Sequence, residues 1–202
     1  MLRFHSVSLA CVAALLLFPA ATVDARTTSS ADTTSSEDTK SLARAKNAAR
    51  ATSLAHAKVL RQITYYRTTA WRLEVLTMGR RTPSSGVAWR RYHYGFRKRV
   101  LQGWRRRAAV VWRRVRRPPN LREWECIHRG EASWNANTGN GYYGGLQMDV
   151  QFQRTYAPRF LLRKGMADRW TRLEQIWVAE RARRSGRGFY PWPNAARICG
   201  LI

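Results

Sequence analysis

Apolar residues return at helical spacing in several stretches of this chain. Between Val59 and Thr77 they fall at Ile63, Tyr66, Ala70, Leu73 and Thr77, one face of a 3.6-residue period. Pro83-Ser84-Ser85-Gly86 then interrupts the pattern. A second stripe runs through Val100/Leu101, Trp104, Ala108, Val111/Trp112 and Val115, and Pro118-Pro119 stops it. Arg97, Lys98, Arg99, Arg105, Arg106, Arg107, Arg113 and Arg114 occupy the rest of that helix. Together the two stretches predict an amphipathic helical hairpin over 59–117. After the prolines, Leu121, Trp124 and Ile127 begin a third stripe, which Glu131 continues four residues on. The next joins Trp170, Leu173, Ile176/Trp177 and Glu180, and Thr171 with Glu174 makes a capping-box signature at its start. Between these, QFQRTYAPRFLLRKG reads as a helix broken at Pro158, and SGRGFYPWPNAARICGLI as an irregular aromatic ending pinned by Cys199. Trp124, Trp170 and Trp177 are expected in the core.

The net charge is +25, and its distribution changes the picture more than its size. Residues 61–117 hold 17 Lys or Arg against one acid, Glu74, whereas 121–202 hold 13 against 7. Only the second balance is that of an ordinary globular domain, so the folded domain is expected over 121–202 and a basic helical region over 59–117. Two uses of that region fit the sequence. Its apolar stripe packs on its neighbour or on the C-terminal domain, leaving a solvated basic face; or that face holds the protein on an anionic surface, either phosphate-bearing wall polymers or membrane headgroups. Nucleic acid would be drawn to the same charge but is not an expected partner of an exported protein.

Export is read from the start of the chain. Met1 to Ala25 combines Arg3, the apolar run VSLACVAALLLF and a small-x-small site at Val23-Asp24-Ala25, the anatomy of a secretory signal. An uncleaved membrane anchor is the other reading of this run. Residues 26–58 lack any aromatic side chain and are rich in Ser, Thr, Ala and Lys, which predicts a disordered linker whose alanine-rich end has helix-forming composition. Cys11 lies inside the apolar run, leaving Cys126 and Cys199 as an even pair expected to form a disulfide. Closing so long a loop is worth about 4 kcal/mol. His5, His56, His93 and His128 are scattered, without metal-ligand spacing, so no metal or cofactor is expected.

The densest chemistry lies in Trp124 to Met148, WECIHRGEASWNANTGNGYYGGLQM. Glycines and asparagines crowd residues 137–145, so the backbone must turn tightly there and present its own polar groups. Flanked by Trp134, Tyr142 and Tyr143, such a loop suits a ligand with apolar faces and many hydroxyls, which describes a polysaccharide. Glu131 sits at the edge of an apolar helix face; partial desolvation raises its pKa and keeps it protonated nearer neutrality, as a general acid requires. Glu125 points off the Leu121/Trp124/Ile127 stripe, His128 is expected to face solvent, and Asp149 to cap the helix that follows it.

GNGYYGGLQM, with an acid, a Trp and a Cys upstream, resembles the transglycosylase-like domain of the actinobacterial resuscitation-promoting factors. The resemblance covers Leu121 to Leu201, under half the chain. It implies a mostly helical α+β architecture, with a small lysozyme-like domain at the C-terminus after the basic hairpin, acting on peptidoglycan glycan strands. On the same resemblance Glu131 is the general acid at the bond between N-acetylmuramic acid and N-acetylglucosamine. Trp134, Asn140, Tyr142, Tyr143 and Gln147 line the sugar groove, and Trp192, in FYPWP, forms its opposite wall. One Glu suffices in such enzymes, a substrate group completing the reaction: attack by the C6 hydroxyl leaves a 1,6-anhydro end, attack by water a hydrated one. This chain departs from the commonest family form, which sets Glu directly after Cys and follows it with Ser-Gly-Gly-Asn-Trp. Here Ile127-His128-Arg129-Gly130 separate Cys126 from Glu131, and Ala132-Ser133 precede Trp134. The expectation is a secreted, wall-associated lytic enzyme. Its rivals are a wall-binding module that has kept the groove without the chemistry, and a cationic membrane-active protein working through Arg97 to Arg117.

Overall fold

The computed structural model describes residues 31–83 and 93–202. The predicted secretory segment and Ser84-Ser85-Gly86 of the predicted hairpin turn lie outside the described residues. The chain divides into units 1–47 and 48–202. In the first, residues 31–47 are helical and side chains 36–47 are exposed.

Helix α1, Ala31–Met78, runs through residues expected as a disordered linker. The difference has a local cause: SLARAKNAARATSLAHAKVL contains no Gly or Pro, and Ala, Leu, Arg and Lys rank highest in helix propensity. In the second unit, α2 (Tyr94–Val115) packs on α1. Val59, Ile63 and Leu101 form a small buried cluster flanked by Tyr66, Tyr94 and Trp104. Glu74, the lone acid of this basic stretch, is 2% exposed; it accepts from Arg107 at 2.6 Å and from the Thr82 N–H at 2.9 Å. A burial of this kind holds only because both partners remain.

The C-terminal domain is mostly helical with one small sheet. It comprises α3 (Leu121–Glu131), β1 (Tyr142–Tyr143), β2 (Met148–Asp149), α4 (Val150–Tyr156), α5 (Arg159–Leu162), α6 (Arg172–Ala182) and α7 (Pro193–Ile198). The strands pair antiparallel, Tyr142 opposite Asp149 and Tyr143 opposite Met148. Pro158 separates α4 from α5 as expected, with Ala157 before it extended, the conformation a following proline favours. Thr171 and Glu174 complete their capping box, the hydroxyl accepting the Glu174 N–H and the carboxylate the Thr171 N–H. The ending read as irregular contains α7, for which Pro193 presets the first helical dihedral. Cys126 and Cys199 are bridged, tying α3 to the residue after α7.

Trp124, Trp170 and Trp177 are all buried in one core with Ile127, Leu146, Phe152, Leu161 and Ile176. Leu76 of α1 and Val115 of α2 belong to the same core, and the Trp177 Nε1–H donates to the Val115 carbonyl at 3.0 Å. The hairpin's apolar stripe is thus used twice, within the hairpin and against the domain. Glu180, fully buried on α6, holds the start of α3: it accepts from Trp124 Nε1 at 2.9 Å, from Asn120 Nδ2 at 3.2 Å and from Arg183 Nη2 at 2.8 Å.

Candidate active site

The GNGYYGGLQM loop owes its shape to two adjacent glycines. A Cβ on Gly144 would lie 2.4 Å from Gln175 Oε1, and one on Gly145 would lie 2.7 Å from both His128 Nδ1 and the Trp134 ring. Gln175, fully buried on α6, accepts the Gly145 N–H at 2.9 Å and donates through Nε2 to the carbonyls of Trp134 and Ala167 at 2.7 and 2.9 Å. From the other side His128 donates its Nδ1–H to the Gly145 carbonyl at 3.1 Å while stacking on Trp134, ring centroids 4.0 Å apart. His128 therefore does not face solvent as expected, because Trp134 and the loop close over that side of α3. Gln147 lies in the left-handed region, at φ 43°, a conformation costly for a side-chain-bearing residue; its Nε2–H donates to the Gly144 carbonyl at 2.9 Å and braces the turn.

Facing this loop, Trp192 is 4% exposed and its Nε1–H donates to the Leu146 carbonyl at 2.6 Å. Glu131 is the last residue of α3, after which Ala132 is extended. Gly130 just before it allows α7 to come close, since a Cβ there would meet the Ala195 Cβ at 3.3 Å. The result is a cleft of about 270 Å3 whose walls are Glu131, Tyr142, Gln147, Trp192, Asn194 and the prolines 191 and 193. A second hollow of about 210 Å3 shares Tyr142, Gln147, Pro191 and Trp192 and continues past Asp149, Gln151 and Thr155 to Arg187. Burial raises the Glu131 pKa above its ordinary value.

The structure brings together part of the set expected from sequence. Glu131, Tyr142, Gln147 and Trp192 share the cleft. Trp134 and Tyr143 instead pack against the core, and Asn140 uses its Oδ1 to accept the Tyr142 N–H at 3.0 Å, shaping the loop. Glu125 pairs with Arg172, and Asp149 caps α4 by accepting the Phe152 N–H at 2.6 Å. Cys126, five residues before Glu131, lies about 140° around the helix from it, so the cysteine serves α7 while the acid serves the cleft. Gln175, Asn194 and Arg187 were not singled out by sequence reading. The adjacent glycines were the available signal for Gln175, since they mark a place where another group comes too close for a side chain.

Comparison with known proteins covers the domain that carries this cleft. Residues 119–195 match the family described as Transglycosylase-like domain. The chain is 39% identical over 79 residues to resuscitation-promoting factor RpfE of Mycobacterium tuberculosis, a match covering 38% of this chain and 40% of that protein. Against resuscitation-promoting factor Rpf1 of Corynebacterium glutamicum the identity is 36% over 81 residues, 39% of this chain and 40% of the relative. Against RpfB of Mycolicibacterium smegmatis it is 40% over 85 residues, 38% and 21%. The chain thus spans well under half the length of these relatives. The basic hairpin lies outside the family match. Residues 119–195 thus match a transglycosylase-like domain and are similar to resuscitation-promoting factors, on a mostly helical α+β, lysozyme-like fold.

Proposed function

We propose that the chain is an exported enzyme that cleaves peptidoglycan at the bond between N-acetylmuramic acid and N-acetylglucosamine, with Glu131 as general acid. The observation that carries this reading is the setting of Glu131: a partly buried carboxyl with a raised pKa, lining a groove walled by Tyr142, Gln147 and Trp192. The relatives' family supports the same class of chemistry. Export agrees with the Cys126–Cys199 bridge, which persists in an oxidising compartment.

In this mechanism the Glu131 O–H gives its proton to the glycosidic oxygen as the bond from that oxygen to the muramic C1 breaks. Among the described residues the cleft holds no second carboxylate beside Glu131, and Asp149, in the neighbouring hollow, is engaged in capping α4. This favours completion by the substrate itself. Its C6 hydroxyl oxygen bonds to C1 and returns a proton to the Glu131 carboxylate, leaving a 1,6-anhydro end. Tyr142 and Trp192 offer ring faces and edges to the sugars, and Gln147 and Asn194 offer amides. The test is a Glu131→Gln protein, in which the acid is replaced by a near-isostere. Loss of peptidoglycan clearing with retained co-sedimentation on it supports the reading; undiminished clearing overturns it, and absence of clearing by the parent protein as well indicates a binding module.

A further inference from the structure

One cleft in the second unit is remote from Glu131. It has a volume of about 460 Å3 and runs between α1, α5 and α6, within the range of small-ligand clefts. Its walls carry Arg72 and Arg81 on one side, Arg159 and Arg163 on the other, and Arg181 from α6. Among the described residues no carboxylate lines it. Among the described residues the carboxylates that pair with arginines or lysine elsewhere serve Arg107, Lys164, Arg169, Arg172, Arg183 and Arg184, and none serves these five. Arg72, Arg81, Arg159 and Arg163 are exposed, so solvent screens their mutual repulsion, and their guanidinium groups are open to an anionic ligand. Arg181 is partly buried and donates through Nη1 to the Val75 carbonyl at 3.4 Å; burial, and then Arg184 outside the cleft, push its pKa down.

Two further features narrow the ligand. Trp71 and Phe160 stand in the same walls; Arg67 and Arg81 lie over the Trp71 ring at 5.0 and 5.2 Å. Guanidinium groups match phosphate oxygens with paired N–H donors, and aromatic faces suit the C–H faces of a sugar or polyol. A membrane surface is less suited, because an interfacial helix needs a broad apolar face to insert, and in α2 Leu101, Val111 and Val115 are already buried, leaving Val110 and Trp112 exposed.

We propose that this arginine cleft is a second binding site, taking phosphate groups of an anionic sugar- or polyol-phosphate polymer and so holding the chain on a surface that carries one. The site stands on its own residues, whether or not Glu131 cleaves glycan.

The experiment is calorimetric titration of the full chain with poly(glycerol phosphate), an uncharged glycan of equal length, oligothymidylate of equal charge, and phosphatidylglycerol–phosphatidylcholine vesicles. Poly(glycerol phosphate) is expected to bind most tightly. Arg159→Ala/Arg163→Ala, and separately Arg72→Gln/Arg81→Gln, are each expected to weaken it about tenfold or more. Arg106→Ala/Arg113→Ala, which removes equal charge from exposed positions of α2 outside the cleft, is expected to weaken it less than about threefold. Two independent pairs on different walls guard against misfolding of either. Release of soluble fragments from peptidoglycan stripped of phosphate polymers is expected to be unchanged in all three. Equal losses for cleft and control pairs, or tighter binding to vesicles or oligothymidylate than to poly(glycerol phosphate), would overturn the proposal.

Discussion

Gln175 Oε1 accepts the backbone N–H of Gly145 at 2.9 Å, and this buried bond joins α6 to the loop facing Glu131. The same side chain holds the carbonyls of Trp134 and Ala167 through its Nε2. Replacing it by Leu removes the partner of the Gly145 N–H and of the Trp134 and Trp170 carbonyls, while the Ala167 carbonyl keeps the Trp170 N–H at 3.0 Å. Gln175→Leu is expected to lower stability by about 2–4 kcal/mol, read by urea unfolding. Gly144→Ala, whose methyl would meet that oxygen at 2.4 Å and at a left-handed φ, is expected to give a comparable loss. A loss below about 1 kcal/mol for both would contradict this role.

Glu180 is a carboxylate with no exposure and several donors, which predicts an asymmetric response. Glu180→Ala strands Asn120 and Trp124 donors and the Arg183 charge, and a loss of about 3–5 kcal/mol is expected. Glu180→Gln keeps an acceptor and is expected to lose less. Thermal melts of the two proteins give the order; equal losses would contradict it.

The Cys126–Cys199 bridge closes a loop over a sequence separation of 73 residues. Its removal is expected to cost about 4 kcal/mol on the chain-entropy account. The Cys126→Ser/Cys199→Ser protein should therefore unfold at markedly lower urea concentration, and reductant should do the same to the parent protein. A midpoint unmoved by reductant would contradict it.

Burial holds the Glu131 pKa above that of the same residue in the unfolded chain. Between those two values the native state binds more protons, so this group's contribution to stability is complete at low pH and is lost as pH rises through the folded-state pKa. Glu131→Gln is expected to match the parent protein in acid and to melt slightly higher at neutral pH. A difference that does not change with pH would contradict this. The general-acid role adds that cleavage declines as pH rises through that same folded-state pKa.

Periodicity found the elements whose apolar stripes face one core. Leu121, Trp124 and Ile127 placed α3, and Thr171 with Glu174 placed the start of α6. It could not find Gln175 or His128, because their partners are backbone groups of a loop whose path depends on the finished fold. Residues 31–58, read as linker from their Ser and Thr content, lie within α1, and the Ala-rich run whose composition favours helix continues it. The groove was half legible. Motif residues Tyr142 and Gln147 meet Glu131, but Trp134 and Tyr143 turn to the core, a choice set by packing that no single aromatic residue announces.

The central claim rests on Glu131. Purified peptidoglycan digested with the parent protein and with Glu131→Gln, the soluble products analysed by mass spectrometry, tests it most directly. Muropeptides with 1,6-anhydro ends are expected from the parent protein and none from Glu131→Gln; the same muropeptides from both proteins would show that Glu131 is not the acid.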